Sequence, residues 1–184
     1  ADFGFEGLRN GDLIEDENLA AAIDESGLRH GKSVALRFLR ERPRSMHEIR
    51  CRLMRDHLDP KTIDVLITRL SGQNLLNDAE FARAWVGSRI GLRPKGIFLI
   101  RHELRGKGVE EDLIDDALAY GYPGELEVAR PLVDSRAALL AGQSRSSFRQ
   151  KLGAYLKRRG FSGETIVRLV DESWHSYGHN QPDL

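Results

Sequence analysis

Residues 49–67 read IRCRLMRDHLDPKTIDVLI, residues 100–118 read IRHELRGKGVEEDLIDDAL, and residues 152–170 read LGAYLKRRGFSGETIVRLV. Laid over one another at offsets of 51 and 52, they share six apolar columns. Ile49, Ile100 and Leu152 form the first, Leu53, Leu104 and Leu156 the second, and Leu58, Val109 and Phe161 the third. Ile63, Ile114 and Ile166 follow, then Leu66, Ala117 and Leu169, then Ile67, Leu118 and Val170. The step from second to third column is five residues each time. A period of this length accommodates about three helices, and repeated modules of that kind bind along surfaces more often than they enclose pockets.

Working outward, each segment gains a preceding helix. Ala35, Phe38 and Leu39 give an i, i+3, i+4 stripe that Pro43 stops, since proline lacks the N–H and disfavours helix in the residue before it. This first helix is expected to start near Ser33. Ser45 with Glu48 is a capping box, and Asp59-Pro60 pairs an N-cap with an N1 proline. Ala82, Trp85 and Val86 and then Ala129, Leu132 and Val133 repeat the first stripe at 47-residue intervals. The join to the second helix must therefore lengthen down the chain, by longer helices or a looser loop around Ala141 to Ser147. Gly106 and Gly108 punctuate one helix end, and Arg159-Gly160-Phe161-Ser162 reads as a tight corner with a C′ glycine and an N-cap.

No segment sustains β alternation, so the fold class is all-α: an elongated array of three tandem three-helix repeats. The expected divisions are an acidic leader over 1–32 with room for one short helix, repeats over 33–76, 77–122 and 123–177, and a tail over 178–184.

Bulk properties narrow the function classes. The 184 residues contain no apolar run near the ~18 residues of a membrane span, and the lone Cys51 permits no internal disulfide framework. A cytoplasmic protein is the expectation. The net charge of zero hides a residue 1–30 segment at −6 and a remainder at +6. Such a leader can be a solubilising tail, a partner-binding strip or an intramolecular cover for a basic surface.

Chemistry-bearing constellations are sparse. His47 and Cys51 have the i, i+4 spacing of half a metal site, but no second cysteine completes it, and a surface histidine beside a part-buried cysteine reads better. Gly106-Lys107-Gly108 lacks the strand and Lys-Ser/Thr of a phosphate loop. Trp85 and Trp174 fit helical stripes and read as core. Neither cofactor, metal nor catalytic residues are expected. The informative charges are bases on the second helices, several at equivalent repeat positions. The candidate partner-binding set is Arg50, Arg101, Arg105, Lys107, Arg149, Lys157, Arg158 and Arg159.

Five stretches together resemble the RecX family of RecA regulators. They are Arg42-Pro43-Arg44-Ser45 with Glu48 and Leu53; Asp78-x-x-Phe81-Ala82-x-x-Trp85-Val86-x-x-Arg89; Lys95-Gly96; Glu103-Leu104-x-x-Lys107-Gly108; and Leu156-x-x-Arg159-Gly160-Phe161-Ser162. The resemblance spans about residues 33–175 and leaves the acidic leader outside. It implies an elongated protein of three-helix repeats, without catalytic residues, that binds the RecA filament on single-stranded DNA and restrains strand exchange and coprotease activity; a monomer is expected. Its motif positions fall mostly on core and caps, so the basic set rests on charge placement alone. A direct nucleic-acid-binding protein, with RecA secondary, is the alternative, and a helical scaffold for another partner a third.

Overall fold

A computed structural model describes residues 16–91 and 94–177. Among them the chain is all-helical: α1 (Asp16–Glu41), α2 (Met46–Arg55), α3 (Pro60–Gly72), α4 (Asp78–Gly91), α5 (Ile97–Arg105), α6 (Glu111–Gly121), α7 (Glu125–Ala138), α8 (Arg145–Arg158) and α9 (Gly163–Tyr177). Two compact units divide at Asn77 and Asp78.

The first unit packs α1, α2 and α3 around one core, in which Ala35, Ile49, Leu53 and Ile63 are fully enclosed. Ser45 caps α2 through the expected reciprocal box with Glu48, and Asp59 caps α3 ahead of Pro60. One boundary differs from expectation. The helix bearing Ala35 begins at Asp16, not near Ser33, and runs 26 residues. Gly27 and Gly31 each lower helix propensity by about 1 kcal/mol relative to alanine, which hides the continuity in the sequence. Packing explains the second of them: Gly31 is buried, and a Cβ there would overlap Leu58 and approach Leu66 Cδ1 to 2.5 Å. Residues 1–15 of the leader and the 178–184 tail lie outside the described residues.

The second unit holds two cores. Phe81, Ala82, Val86, Ile100, Leu104 and Ile114 fill that of α4, α5 and α6; Ala129, Val133, Phe148, Leu152, Leu156 and Leu169 fill that of α7, α8 and α9. The three first-helix alanines, Ala35, Ala82 and Ala129, all have zero exposure. The longer join is taken up by α8, at 14 residues against 10 for α2 and 9 for α5, and by the turn between α7 and α8. That turn tucks Leu140 into the core.

The five-residue step acquires a physical cause. At each second-helix end the residue before the third column is left-handed: His57 at φ 61°, Gly108 at 70° and Gly160 at 81°. The next N–H reaches back to the second-column carbonyl, Leu58 to Leu53 at 3.3 Å, Val109 to Leu104 at 3.2 Å and Phe161 to Leu156 at 3.4 Å. His57, Gly108 and Gly160 donate to Met54, Arg105 and Lys157 at 3.0, 2.9 and 3.0 Å. These are Schellman motifs, whose hydrophobic contact joins the residues five apart. Gly106, by contrast, keeps a right-handed φ of −64°.

Candidate interaction surface

The basic residues sort by whether an acid already meets them. Arg50 of α2 bonds Asp64 of α3 at 2.6 Å. Arg101 of α5, 51 residues later, bonds Asp115 of α6 at 2.6 Å and also engages Glu111. Arg105 holds Glu111 at 2.7 Å. Hydrogen bonds from Arg105, then Arg101, keep the Glu111 carboxyl below the usual carboxylate range; the bond to Glu111 raises the Arg105 guanidinium, and the bond to Asp115, then that to Glu111, raises that of Arg101. The equivalence seen for Arg50 and Arg101 thus has an intramolecular reason: each ties a second helix to a third. Arg149 of α8 likewise meets Asp171 of α9 at 2.7 Å.

Lys107 belongs to a different arrangement. Its ammonium lies 4.4 Å from the Trp85 ring centroid, and the Arg89 guanidinium lies 4.0 Å from the same ring. Trp85 Nε1 donates to Glu103 at 3.0 Å, Arg89 Nε donates to it at 2.8 Å, and Lys95 also engages it. Burial pushes the Glu103 carboxyl up, but the bonds from Lys95, Arg89 and Trp85 more than reverse this and hold it low. Trp85 is half-buried, packed on the α4–α6 core with its polar edge in this network. Sequence periodicity identified the apolar side of Trp85 and missed the polar one.

Lys157, Arg158 and Arg159 form the end of α8 and its C-cap. Lys157 and Arg158 are exposed, with no ion-pair partner among the described residues. The offset of 52 explains the difference: Gly153, Gly163 and Val167 stand where Arg101, Glu111 and Asp115 stand in the preceding segment. Between Ala129 and Gly163 the chain has eight bases and one acid, Asp134. Arg159 turns inward, donating to the Pro94 carbonyl at 3.2 Å, and its guanidinium lies 4.8 Å from the Tyr155 ring centroid. Arg136 of α7 lies 5.5 Å from the same ring. Neither Tyr155 nor Arg136 was singled out from the sequence; a tyrosine inside the acid-free basic run was the available signal.

This basic corner is held to α5 by a joint the sequence did not disclose. The Gly96 N–H donates to the Arg159 carbonyl at 2.9 Å, and a Cβ on Gly96 would overlap the Gly160 carbonyl and lie 2.5 Å from the Phe161 nitrogen. A Cβ on Gly160 would in turn lie 2.7 Å from the Leu99 nitrogen. Gly96 supplies no side chain to cap α5, and Glu125 of α7 substitutes. Its two carboxylate oxygens accept from the Ile97 N–H at 3.2 Å and the Ser162 N–H at 2.9 Å, serving the starts of α5 and α9 together. The Tyr122 hydroxyl donates to the Lys95 carbonyl at 3.0 Å, and burial, with Glu125 nearby, raises its pKa well above the ordinary tyrosine value.

No group of three or more His, Cys, Asp and Glu side chains converges as a metal site among the described residues. His47 Nε2 and Cys51 Sγ are 3.4 Å apart, with His47 exposed. No helix among the described residues is long and apolar enough to cross a membrane.

Comparison with known proteins follows the same divisions. Residues 32–70 match the family model for RecX, first three-helix domain, and residues 77–118 that for RecX, second three-helix domain. The regulatory protein RecX of Prosthecochloris aestuarii is 33% identical over 150 residues, covering 82% of this chain and 97% of that protein. The regulatory protein RecX of Halalkalibacterium halodurans is 29% identical over 162 residues, and there the chain, 88% of it matched, spans only 61% of the longer relative. A crystal structure of regulatory protein RecX superposes with a TM-score of 0.76 at 27% identity, covering 89% of this chain and 83% of that one. The crystal structure of RecX from Lactobacillus salivarius shares the fold with a TM-score of 0.73 at 24% identity, covering 81% and 97%.

Proposed function

The chain belongs to the RecX family, and on that premise we propose that it is a non-enzymatic regulator that binds the RecA filament on single-stranded DNA and inhibits strand exchange and coprotease activity. Its named relatives are regulatory proteins. The observation that carries the reading to particular residues is the un-neutralised end of α8. Lys157 stands exposed where its counterpart in α5, Arg105, is consumed by Glu111 of α6, and Arg158 beside it is exposed as well. Charges left without internal partners are those whose field reaches a partner. The proposed contact surface therefore narrows from the wider basic set to Lys157 and Arg158, with Arg159 and Tyr155 beside them.

We further propose that the three helix groups are copies of one module, supported by the Schellman ends at His57, Gly108 and Gly160. Several modules touching successive filament subunits would add weak contacts through effective concentration.

The test is Lys157→Glu with Arg158→Glu, assayed for inhibition of RecA ATPase and strand exchange on single-stranded DNA. The expected result is at least a tenfold loss of inhibitory potency with helicity unchanged; full potency overturns the assignment. Arg101 and Arg105 are left intact in this variant, because reversal would set like charges against Glu111 and Asp115 and damage the α5–α6 contact.

A second reading, direct binding of single-stranded nucleic acid, is favoured by Tyr155 with Arg136 and Arg159 at its ring. An aromatic ring flanked by guanidiniums can stack a base while neighbouring bases meet phosphates. Affinity for a bare oligonucleotide would then fall with salt by about 0.7 log units per neutralised phosphate for each log unit of salt. Negligible binding of bare oligonucleotide at moderate salt, with filament binding retained, rejects this second reading.

A further inference from the structure

Each three-helix group has a basic corner between its first and second helices, and the three corners can be compared position by position. Arg42, Arg89 and Arg136 stand four residues past Phe38, Trp85 and Leu132. Arg52, Glu103 and Tyr155 stand one residue before the second apolar column, and Asp56, Lys107 and Arg159 three after it. In the first group carboxylates meet the bases: Arg42 bonds Glu48 at 2.8 Å and Arg52 bonds Asp56 at 3.2 Å. In the second, Glu103 takes Arg89 at 2.8 Å and the Trp85 indole at 3.0 Å. In the third, Tyr155 stands at the Glu103 position, and no carboxylate among the described residues meets Arg136 or Arg159. Their guanidiniums rest instead at the Tyr155 ring, 5.5 and 4.8 Å from its centroid. The bases recur and the acid does not. No such comparison marks an exposed base like Arg37, whose counterparts are Ala84 and Pro131.

We propose that the corner of Arg136, Tyr155 and Arg159 binds an acidic segment of a protein partner, whose carboxylate plays the part that Glu103 plays inside the second group. The inference rests on the module equivalence and the α8 contact surface proposed above, and it gives the Tyr155 ring a protein ligand in place of a base. The donors are present. Arg136 is exposed, and Arg159 spends one bond on the Pro94 carbonyl. A guanidinium carries five N–H groups in a fork that matches a carboxylate, so both arginines retain donors for one. Leu139, one turn beyond Arg136 at the end of α7, is 73% exposed, the most open leucine among the described residues. A polypeptide can cover it with an apolar side chain, whereas a phosphate backbone gains nothing from the contact. The ligand is therefore a segment carrying acidic and apolar side chains together.

The test uses the full chain and two fluorescein-labelled probes, the peptide Glu-Glu-Leu-Glu-Glu-Leu and an oligo(dT), with anisotropy read at low salt. Arg136→Gln should weaken peptide binding about two- to fivefold, the range of one exposed ion pair, and Arg37→Gln should leave it unchanged. Tyr155→Glu restores within the third group the carboxylate that the second group has. It should weaken the peptide further than Arg136→Gln does, because the internal acid competes for both guanidiniums and repels the ligand. If Tyr155→Glu loses helicity, Arg136→Glu takes its place, since that side chain is exposed, with the same expectation. Three results overturn the proposal: no peptide binding by the parent chain, an equal loss from Arg37→Gln, or an Arg136→Gln variant that weakens oligo(dT) and spares the peptide. Lys157 and Arg158 are intact in every variant, so failure here is distinct from failure of the α8 reading, which its own double variant decides.

Discussion

Placing a methyl group on Gly96 tests the joint between α5 and the α8–α9 corner, and the choice of residue separates two explanations for this glycine. Gly96 is the N-cap of α5 at φ −74°, ψ 161°, a conformation open to any L residue, so backbone strain does not enter. If capping governed the position, Gly96→Ser would stabilise, because serine is among the best N-caps and alanine among the poor ones. If close approach governs, both substitutions destabilise. The added Cβ overlaps the Gly160 carbonyl and lies 2.5 Å from the Phe161 nitrogen, and both obstacles are backbone that no rotamer change can move aside. Overpacking of this kind costs about 1–3 kcal/mol, and separating the strands of chain also loses the Gly96 to Arg159 hydrogen bond, about 1 kcal/mol more. A total of about 2–4 kcal/mol corresponds to a fall of roughly 10–20 °C in midpoint for a unit of this size.

The assay is urea unfolding followed by tryptophan fluorescence. Both tryptophans, Trp85 and Trp174, lie in the second unit, so the signal reports that unit. Gly87→Ala is the internal control: nothing lies within 4 Å of a Cβ there, and alanine in a helix interior should stabilise by about 0.5–1 kcal/mol. Gly96→Ser with stability equal to or above that of the parent chain would refute the close-approach reasoning.

Glu125→Ala should destabilise the second unit more than Glu125→Gln, since the amide retains one acceptor oxygen for either Ile97 or Ser162 and alanine retains none; urea midpoints compare the two, with about 1–3 kcal/mol expected for each charge-assisted bond lost. Glu103 has a lowered pKa in the folded state, so its contribution is present above the unfolded glutamate value near ~4.3 and is lost as pH falls through the folded value. Acid titration of Trp85 fluorescence should therefore show a transition below about pH 4.5 that Glu103→Gln flattens, and an unchanged profile would contradict the assigned network. Tyr155→Ala should leave helicity intact, because the ring is only partly buried, and should weaken binding to bare single-stranded oligonucleotide at low salt if the second functional reading holds.

The three 19-residue segments were enough to place the core. All six columns are apolar because each faces its own module's interior, and residues such as Ile49, Ile100 and Leu152 are fully enclosed. Caps were legible for the same local reason: Ser45 with Glu48 and Asp59 with Pro60 act within one helical turn. The start of α1 was not, since two glycines weaken its helical signature and the contact that accommodates Gly31 comes from α2–α3. The basic candidates divide along the same line. Sequence spacing showed that Arg50 and Arg101 are equivalent, but equivalence alone cannot tell a shared external partner from a shared internal one.

Local periodicity and capping chemistry, written in neighbouring residues, determined by themselves that the chain is helical, where its helices turn and which side chains go inside. Tertiary packing alone decided which charges are spent. It set Asp64 against Arg50 and Glu111 and Asp115 against Arg101, and it left Lys157 and Arg158 facing solvent. It also closed Gly96 onto Gly160 and placed one carboxylate, Glu125, on two helix starts. These are contacts between residues 10 to 64 positions apart, and no spacing rule within a helix encodes them, because their geometry exists only once the helices have packed.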